Sequence, residues 1–335
     1  MARVGPADRV SAAGLRPAEI VAGRSGNPPR VLGTTTKRFD ERFLRKLESL
    51  VMMLRRSSRV ALGQVRANRM SKRVGAGLEF ADHRDYAPGD DLRYLDWNLY
   101  GRLGRLALRL FQEEEDLTIE VLVDASASMS VGSPPKLDLA LQVGAALAYV
   151  GLANLDRVAV TALGDAAGAR ERASLPPARG KGAILPILRM LDGVDAAGRT
   201  ALAPAVRAFL ASRQRRRRGL AIIVSDFYDP AGYRAALDLL RHHRLEIVAI
   251  QVSAPEEVSP TLHGDVRLRD VETGETRELT VSPAVLAAYT KRREALVRGL
   301  EGFCRERAIP CFSVQSDQPF DAVVLRMFRA GGFLR

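Results

Sequence analysis

Hydrophobic residues along this chain follow two alternating patterns, and these set the expected elements. From Asp40 the apolar positions Phe43, Leu44, Leu47, Leu50, Val51 and Leu54 recur at helical spacing, so Asp40 is expected to cap an amphipathic helix. Residues 1–38, rich in Arg, Gly, Ala and Pro without a sustained period, read as a flexible basic leader or an overextended start. Residues 39–115 hold the helix and a second segment in which Pro88, Gly89 and Asp90 crowd among charges and aromatics, before a short strand-like run at Leu106–Phe111.

From residue 116 onward, short apolar runs alternate with longer helical stretches. Strands are expected at Leu117–Val123, Arg157–Leu163, Leu220–Ser225, Glu246–Val252 and Pro310–Val314, with an edge hairpin through Ala173 and Leu175. Helices are expected at Lys136–Leu152, Lys181–Leu191, Leu202–Ser212, Gly232–His242, Pro283–Arg307 and Phe320–Arg329. A hairpin insertion at 260–282 alternates Val266, Leu268, Leu279 and Val281 around a Glu272-Thr273-Gly274 turn. The order predicts an α/β fold, a doubly wound, mostly parallel sheet of Rossmann type, with an N-terminal helical and β extension.

Composition supports a folded chain. It has 335 residues, 47% hydrophobic and 27% charged, which suits a sizeable core. Its longest apolar stretches are punctuated by Asp, Gln or Arg, so no uninterrupted membrane span is expected. No compact apolar segment of a signal peptide is visible near the start. Cys304 and Cys311 form no framework and read as reduced core residues; His83, His242 and His243 form no metal cluster.

The chemistry gathers at strand ends. The run Leu117–Ser128 delivers Asp124, Ser126 and Ser128 at the carboxyl end of an apolar strand, where ligands of open α/β sheets bind. Thr200 opens a later helix, and Ser225-Asp226 ends another apolar run. Hydroxyl and carboxylate oxygens suit a small hard cation, Mg²⁺ or Mn²⁺, which takes one or two carboxylates and leaves positions open. Asp124, Ser126, Ser128, Thr200 and Asp226 are therefore the candidate metal ligands. Each also has a plain structural reading, as a turn or helix-cap residue.

These five residues, in this order, resemble the metal-ion-dependent adhesion site of von Willebrand factor A domains. A second signature runs from Gly77 to Trp97, with Glu79, Phe80, Arg84, Tyr86, Pro88, Gly89, Asp90, Asp91, Arg93 and Asp96, and resembles the bacterial family called domain of unknown function 58. That resemblance spans roughly Phe39 to the C-terminal end. It implies a von Willebrand factor A-like fold, a Mg²⁺-dependent protein-binding module, and a MoxR-type AAA+ ATPase or its client as the partner. Relatives often carry membrane helices ahead of the shared region, so a soluble cytoplasmic branch is implied here. For Arg84, Tyr86, Asp90, Asp91, Arg93, Asp96 and Trp97 two readings stand. They shape what approaches the metal crevice, or they form an ion-pair network with Tyr86 and Trp97 as core anchors.

Net charge of +12 raises nucleic acid as a rival partner. The basic groups are Arg55, Arg56, Arg59, Arg66, Arg69, Lys72 and Arg73, and the run Arg213–Arg218, which also reads as a solvated helix end. Neither is interleaved with aromatics or a recognisable nucleic-acid motif. No P-loop, H-E-x-x-H or G-x-S-x-G is present, which leaves a metal-dependent phosphoesterase as the remaining enzymatic reading.

Overall fold

The structure, a computed structural model, describes residues 18–21, 38–57, 74–75, 79–88, 90–112, 118–164, 173–213 and 219–330. In chain order the elements are β1 (Ala18–Val21), α1 (Glu41–Ser57), β2 (Val74–Gly75), β3 (Glu79–Asp85), α2 (Trp97–Leu103), β4 (Ala107–Gln112) and β5 (Thr118–Asp124). There follow α3 (Lys136–Ala153), β6 (Arg157–Leu163), β7 (Ser174–Arg179), α4 (Ile184–Asp192), α5 (Leu202–Ser212), β8 (Gly219–Ser225) and α6 (Arg234–His242). The chain ends with β9 (Leu245–Ser253), α7 (Pro255–Val258), β10 (Gly264–Asp270), β11 (Thr276–Val281), α8 (Pro283–Glu306), β12 (Cys311–Gln315) and α9 (Phe320–Ala330). It divides into two compact units, the smaller running from Leu54 to Asp116.

The larger unit is built on a six-stranded sheet ordered β12-β9-β8-β5-β6-β7, parallel except for the edge strand β7. After β5 the chain moves outward to β6 and β7, then returns to lay β8 on the other side of β5. The strand order therefore reverses between β5 and β8, which puts Asp124 and Ser225 on neighbouring carboxyl ends at the switch point.

Central strands are apolar on both faces because both faces are covered. Leu122, Ile223, Ile247 and Ala249 face a cluster completed by Leu202, Val206 and Phe209 of α5, Leu237 and Leu240 of α6, and Leu300 and Phe303 of α8. The opposite face packs on α3. A Cβ at Gly144 would stand 3.0 Å from Val123 Cγ2 and 3.3 Å from Val121 Cγ1, so glycine lets this helix lie close on β5. Helix α3 is long and apolar enough to cross a membrane, but 89% of that stretch is buried inside the fold. Its apolar content serves the core.

Helix α1 begins as its spacing predicts, with Asp40 Oδ1 accepting from Phe43 N at 2.8 Å. It packs on α9 through Phe43 and Phe320, with ring centroids 4.5 Å apart, and Lys46 reaches Asp321 at 3.2 Å. The insertion is the hairpin β10–β11, and β1 pairs antiparallel with β10 as a third strand. Residues 18–21, expected in a flexible leader, are thus a strand. Arg38, the last residue of that leader, is held as well, its Nε 2.8 Å from Asp138 Oδ1 and Nη1 donating to Val194 O at 2.9 Å; residues 1–17 and 22–37 lie outside the described residues.

In the smaller unit, β4 sits between β2 and β3 in an antiparallel sheet. Asp96 caps α2, accepting from Asn98 N and Leu99 N.

Candidate functional site

Three loops meet at the switch point. The first leaves β5, where Asp124 Oδ1 accepts from Ser126 N at 2.9 Å and Oδ2 accepts from Ser225 Oγ at 2.6 Å. One carboxylate thus ties its own loop to the end of β8. Ser126 occupies the cap of a short 3₁₀ turn, Ala127–Ser130, without capping it by its side chain. Its hydroxyl lies instead 3.0 Å from Ser128 Oγ, which is 3.2 Å from Thr200 Oγ1. The Thr200 loop is pinned alongside by Ala127 N to Gly198 O and Ala197 N to Ala125 O, at 3.0 and 2.8 Å.

The third loop carries Asp226. Phe227 after it adopts a left-handed backbone at φ 58°, unusual for a bulky residue and costing about 1–3 kcal/mol. That conformation is held by Phe227 N on Ser225 Oγ at 2.9 Å and Tyr228 N on Asp226 Oδ1 at 3.0 Å. Asp226 Oδ2 accepts from Lys136 Nζ at 2.8 Å, and the same ammonium reaches Glu257 Oε1 at 2.7 Å. Lys136 is completely buried, with the Tyr228 ring centroid 5.0 Å away.

Of the five expected ligands, Asp124, Ser126, Ser128 and Thr200 form one continuous chain of contacts, and Ser225 ties its Asp124 end to β8. Asp226 joins them by charge and is otherwise engaged by Lys136 and a backbone N–H. All five are buried. Thr200 does not cap α5. Asp229 does, its Oδ2 accepting from Leu202 N at 2.7 Å while Oδ1 accepts from Ala231 N at 2.8 Å.

Sequence reasoning missed Lys136, Glu257, Asp229 and Glu272. Glu272, at the tip of the β10–β11 hairpin, accepts from both Thr200 N, at 3.1 Å, and Thr200 Oγ1. The only sequence signals were an acidic residue at a turn and a second carboxylate three residues after Asp226.

Electrostatics of the site are unbalanced toward negative charge. Asp226 and Glu257 share the one ammonium of Lys136, while Asp124 and Glu272 are met by hydroxyl and backbone donors. Burial, then the charge of Asp226, push the Asp124 carboxyl up to about 6, against the hydrogen bonds from Ser225 and Ser126. Burial also raises Glu272 and Asp229. Burial alone would lower Lys136, but Asp226 and Glu257 more than offset it and the net shift is upward. Among the described residues no group of three or more His, Cys, Asp or Glu is placed to hold a metal. A cation here would rely on hydroxyl oxygens as well as carboxylates. That donor set fits a hard divalent ion, with Asp226 acting through charge or bound water because Lys136 engages it directly.

The second candidate set lies in the smaller unit. Arg84 pairs with Asp90 at 2.7 Å and Arg93 with Asp91 at 2.6 Å. Asp96 takes Arg109 at 3.0 Å and His83 Nε2 at 2.8 Å, and these bonds hold its carboxyl far below the usual carboxylate range. The ion-pair reading is therefore observed, with Arg109 and His83 added to it. Tyr86 is half-buried, but Trp97 is 64% exposed and is no core anchor; it meets Tyr100 edge-on at 6.4 Å. Trp97 opens the seven-residue α2, and the ring it meets among the described residues, Tyr100, is itself exposed.

Of the basic groups, Arg213 is not solvated; its Nε lies 3.1 Å from Glu120 Oε1. The side chains of Arg55 and Arg56, and residues Arg59, Arg66, Arg69, Lys72, Arg73 and Arg215–Arg218, lie outside the described residues. Cys304 is buried and Cys311 half-buried, both free thiols as expected.

A sequence profile described as "Protein of unknown function DUF58" matches residues 82–296. The chain is 30% identical over 257 residues to "Uncharacterized protein Rv1480" of Mycobacterium tuberculosis, covering 75% of this chain and 79% of that protein. It is 33% identical over 118 residues to "Uncharacterized protein MAV169" of Mycobacterium avium, covering 35% and 69%. Similar solved structures include the conserved hypothetical protein BatB from Bacteroides thetaiotaomicron, at 14% identity and TM-score 0.38, covering 65% of this chain and 98% of that one. They also include the SpRpn10 VWA domain, at 12% identity and TM-score 0.34, covering 63% and 94%.

Proposed function

The chain belongs to the DUF58 family, and from that premise we propose that it is a non-enzymatic, metal-dependent protein-binding module. In this reading Asp124, Ser126, Ser128, Thr200 and Asp226 hold Mg²⁺ or Mn²⁺, and an Asp or Glu from a partner completes the shell. The ion, when bound, supplies an electrophilic anchor for that carboxylate. The chain's own residues position it: Ser225 fixes Asp124, Lys136 fixes Asp226, and the pinned 126–128 and 198–200 loops hold the hydroxyls together.

One observation carries the reading. Three buried hydroxyls converge beside Asp124, and a carboxylate, that of Glu272, already meets the outermost of them at Thr200. The carboxylates near Asp124 outnumber the ammonium groups, which favours a cation in their midst. The family resemblance adds the partner class, a MoxR-type AAA+ ATPase or its client, and a cytoplasmic setting. Asp124, Ser225 and Asp226 are engaged in holding loops, which supports binding over turnover. The nucleic-acid reading has lost Arg213 to Glu120.

Calorimetric titration of Mn²⁺ and Mg²⁺ tests the site. One ion per chain is expected, and Thr200→Val, which removes a hydroxyl ligand but keeps the shape, should weaken it at least about tenfold, or about 1.4 kcal/mol. Equal binding by both proteins, or no binding at millimolar ion, would overturn the reading.

A further inference from the structure

We infer that Glu272 is a built-in occupant of the position a partner's carboxylate would take, so that the β10–β11 hairpin holds the site closed until a competing carboxylate displaces it. The inference rests on the metal-dependent reading above and concerns how that site is regulated.

The geometry is specific. A single oxygen, Glu272 Oε1, accepts both the backbone N–H and the hydroxyl of Thr200, so this carboxylate caps the one candidate ligand on the second loop. The hairpin tip is shaped to present it. Asp270 Oδ1 accepts from Glu272 N at 2.9 Å and Thr273 N at 3.1 Å, and Gly274 N returns to Asp270 O at 2.8 Å. Glu272 thus arrives on a braced turn, with little left to order when it engages.

Beyond its pairing with β1, the hairpin buries little apolar surface. Residues of β10 alternate between exposed and half-buried, and β11 buries only Val281. Releasing the tip therefore uncovers little apolar surface, and the Thr200 contacts dominate what is lost. A partner Asp or Glu offers the same chemistry without the strap, so exchange is a trade of like for like.

The experiment uses Mn²⁺ alone as the probe, with acetate as a free carboxylate. Solvent-proton relaxation of bound Mn²⁺ reports how many water molecules the ion keeps. The full chain should give low relaxation enhancement that acetate does not change. Glu272→Gln and Glu272→Ala should each bind Mn²⁺, show higher enhancement from an added inner-sphere water, and lose that gain as acetate is added. Two variants on a surface turn guard against a fold defect, which a melting curve would reveal in either. Bound Mn²⁺ with identical enhancement in all three proteins would overturn the Glu272 proposal and leave the metal reading intact. Failure of the unmodified chain to bind Mn²⁺ would overturn both.

Discussion

Replacing Lys136 by methionine should lower the melting temperature by about 10 °C in EDTA, the largest loss expected from any one side chain. Lys136 Nζ is shared between Asp226 Oδ2 and Glu257 Oε1 at 2.8 and 2.7 Å, in a position with no exposure. Methionine fills a similar volume, so packing is nearly preserved and the loss is electrostatic. Removing one partner of a buried pair costs about 3–5 kcal/mol, because the other charge stays buried without compensation. For a unit of this size, each kcal/mol moves the midpoint by about 2–4 °C. Adding Glu257→Gln to the variant should restore part of the loss, since one stranded carboxylate is then neutral. Mg²⁺ should restore part of it too, by placing positive charge near Asp226. A calorimetric midpoint within about 2 °C of the unmodified protein would mean the ammonium is replaceable by water.

Asp124→Asn should act in opposite directions with and without metal. Burial and Asp226 push the Asp124 carboxyl up to about 6, from an ordinary value near 3.8. That difference of about two units corresponds to about 3 kcal/mol against the charged form at neutral pH. Because the folded value exceeds the unfolded one, the associated stability is fully present below about pH 4 and is lost as pH rises through about 6. The metal-free protein should therefore weaken over that interval. Asparagine removes this penalty, a net figure in which the charge-assisted bond from Ser225 is already counted, and leaves a neutral amide to meet that hydroxyl. In EDTA at pH 7 the variant should be as stable as the parent or slightly more so, with a flatter pH profile. In Mg²⁺ the parent should gain stability and the variant should not. Urea denaturation in the two conditions reads both effects. A variant weaker than the parent by the same margin in EDTA and in Mg²⁺ would make Asp124 a structural tie between β5 and β8 and nothing more.

Much of the architecture was legible in the chain because local pattern and tertiary environment agree. β6 and α5 begin and end at the expected residues, and β8 and β9 depart by a residue at one or both ends. These runs are apolar because helices cover both faces of the sheet. The candidate ligands were legible for a related reason: Asp124 and Ser225-Asp226 end apolar strands, and parallel strands bring such ends together.

The supporting groups were not legible, because each is defined by a partner far away in sequence. Lys136 looks like an ordinary solvated residue at a helix start until Asp226, 90 residues on, and Glu257, 121 residues on, close over it. Asp229 caps a helix that begins 27 residues earlier, and Glu272 reaches back 72 residues to Thr200. Trp97 failed in the other direction. A lone tryptophan among turn residues suggested an anchor, but it opens a seven-residue helix and stands 64% exposed. β1 escaped notice since four residues paired to a hairpin edge carry no period of their own.

A pull-down from a native cell extract, comparing the unmodified chain with Asp124→Asn in Mg²⁺ and in EDTA, is the most direct test of metal-dependent partner binding. Because the variant is expected to fold as well as the parent, lost capture will not be a fold defect. An AAA+ ATPase or its client should be retained only by the unmodified chain in Mg²⁺. The same proteins, or nucleic acid, retained equally by both chains and in EDTA would contradict a metal-held carboxylate and move recognition to another surface.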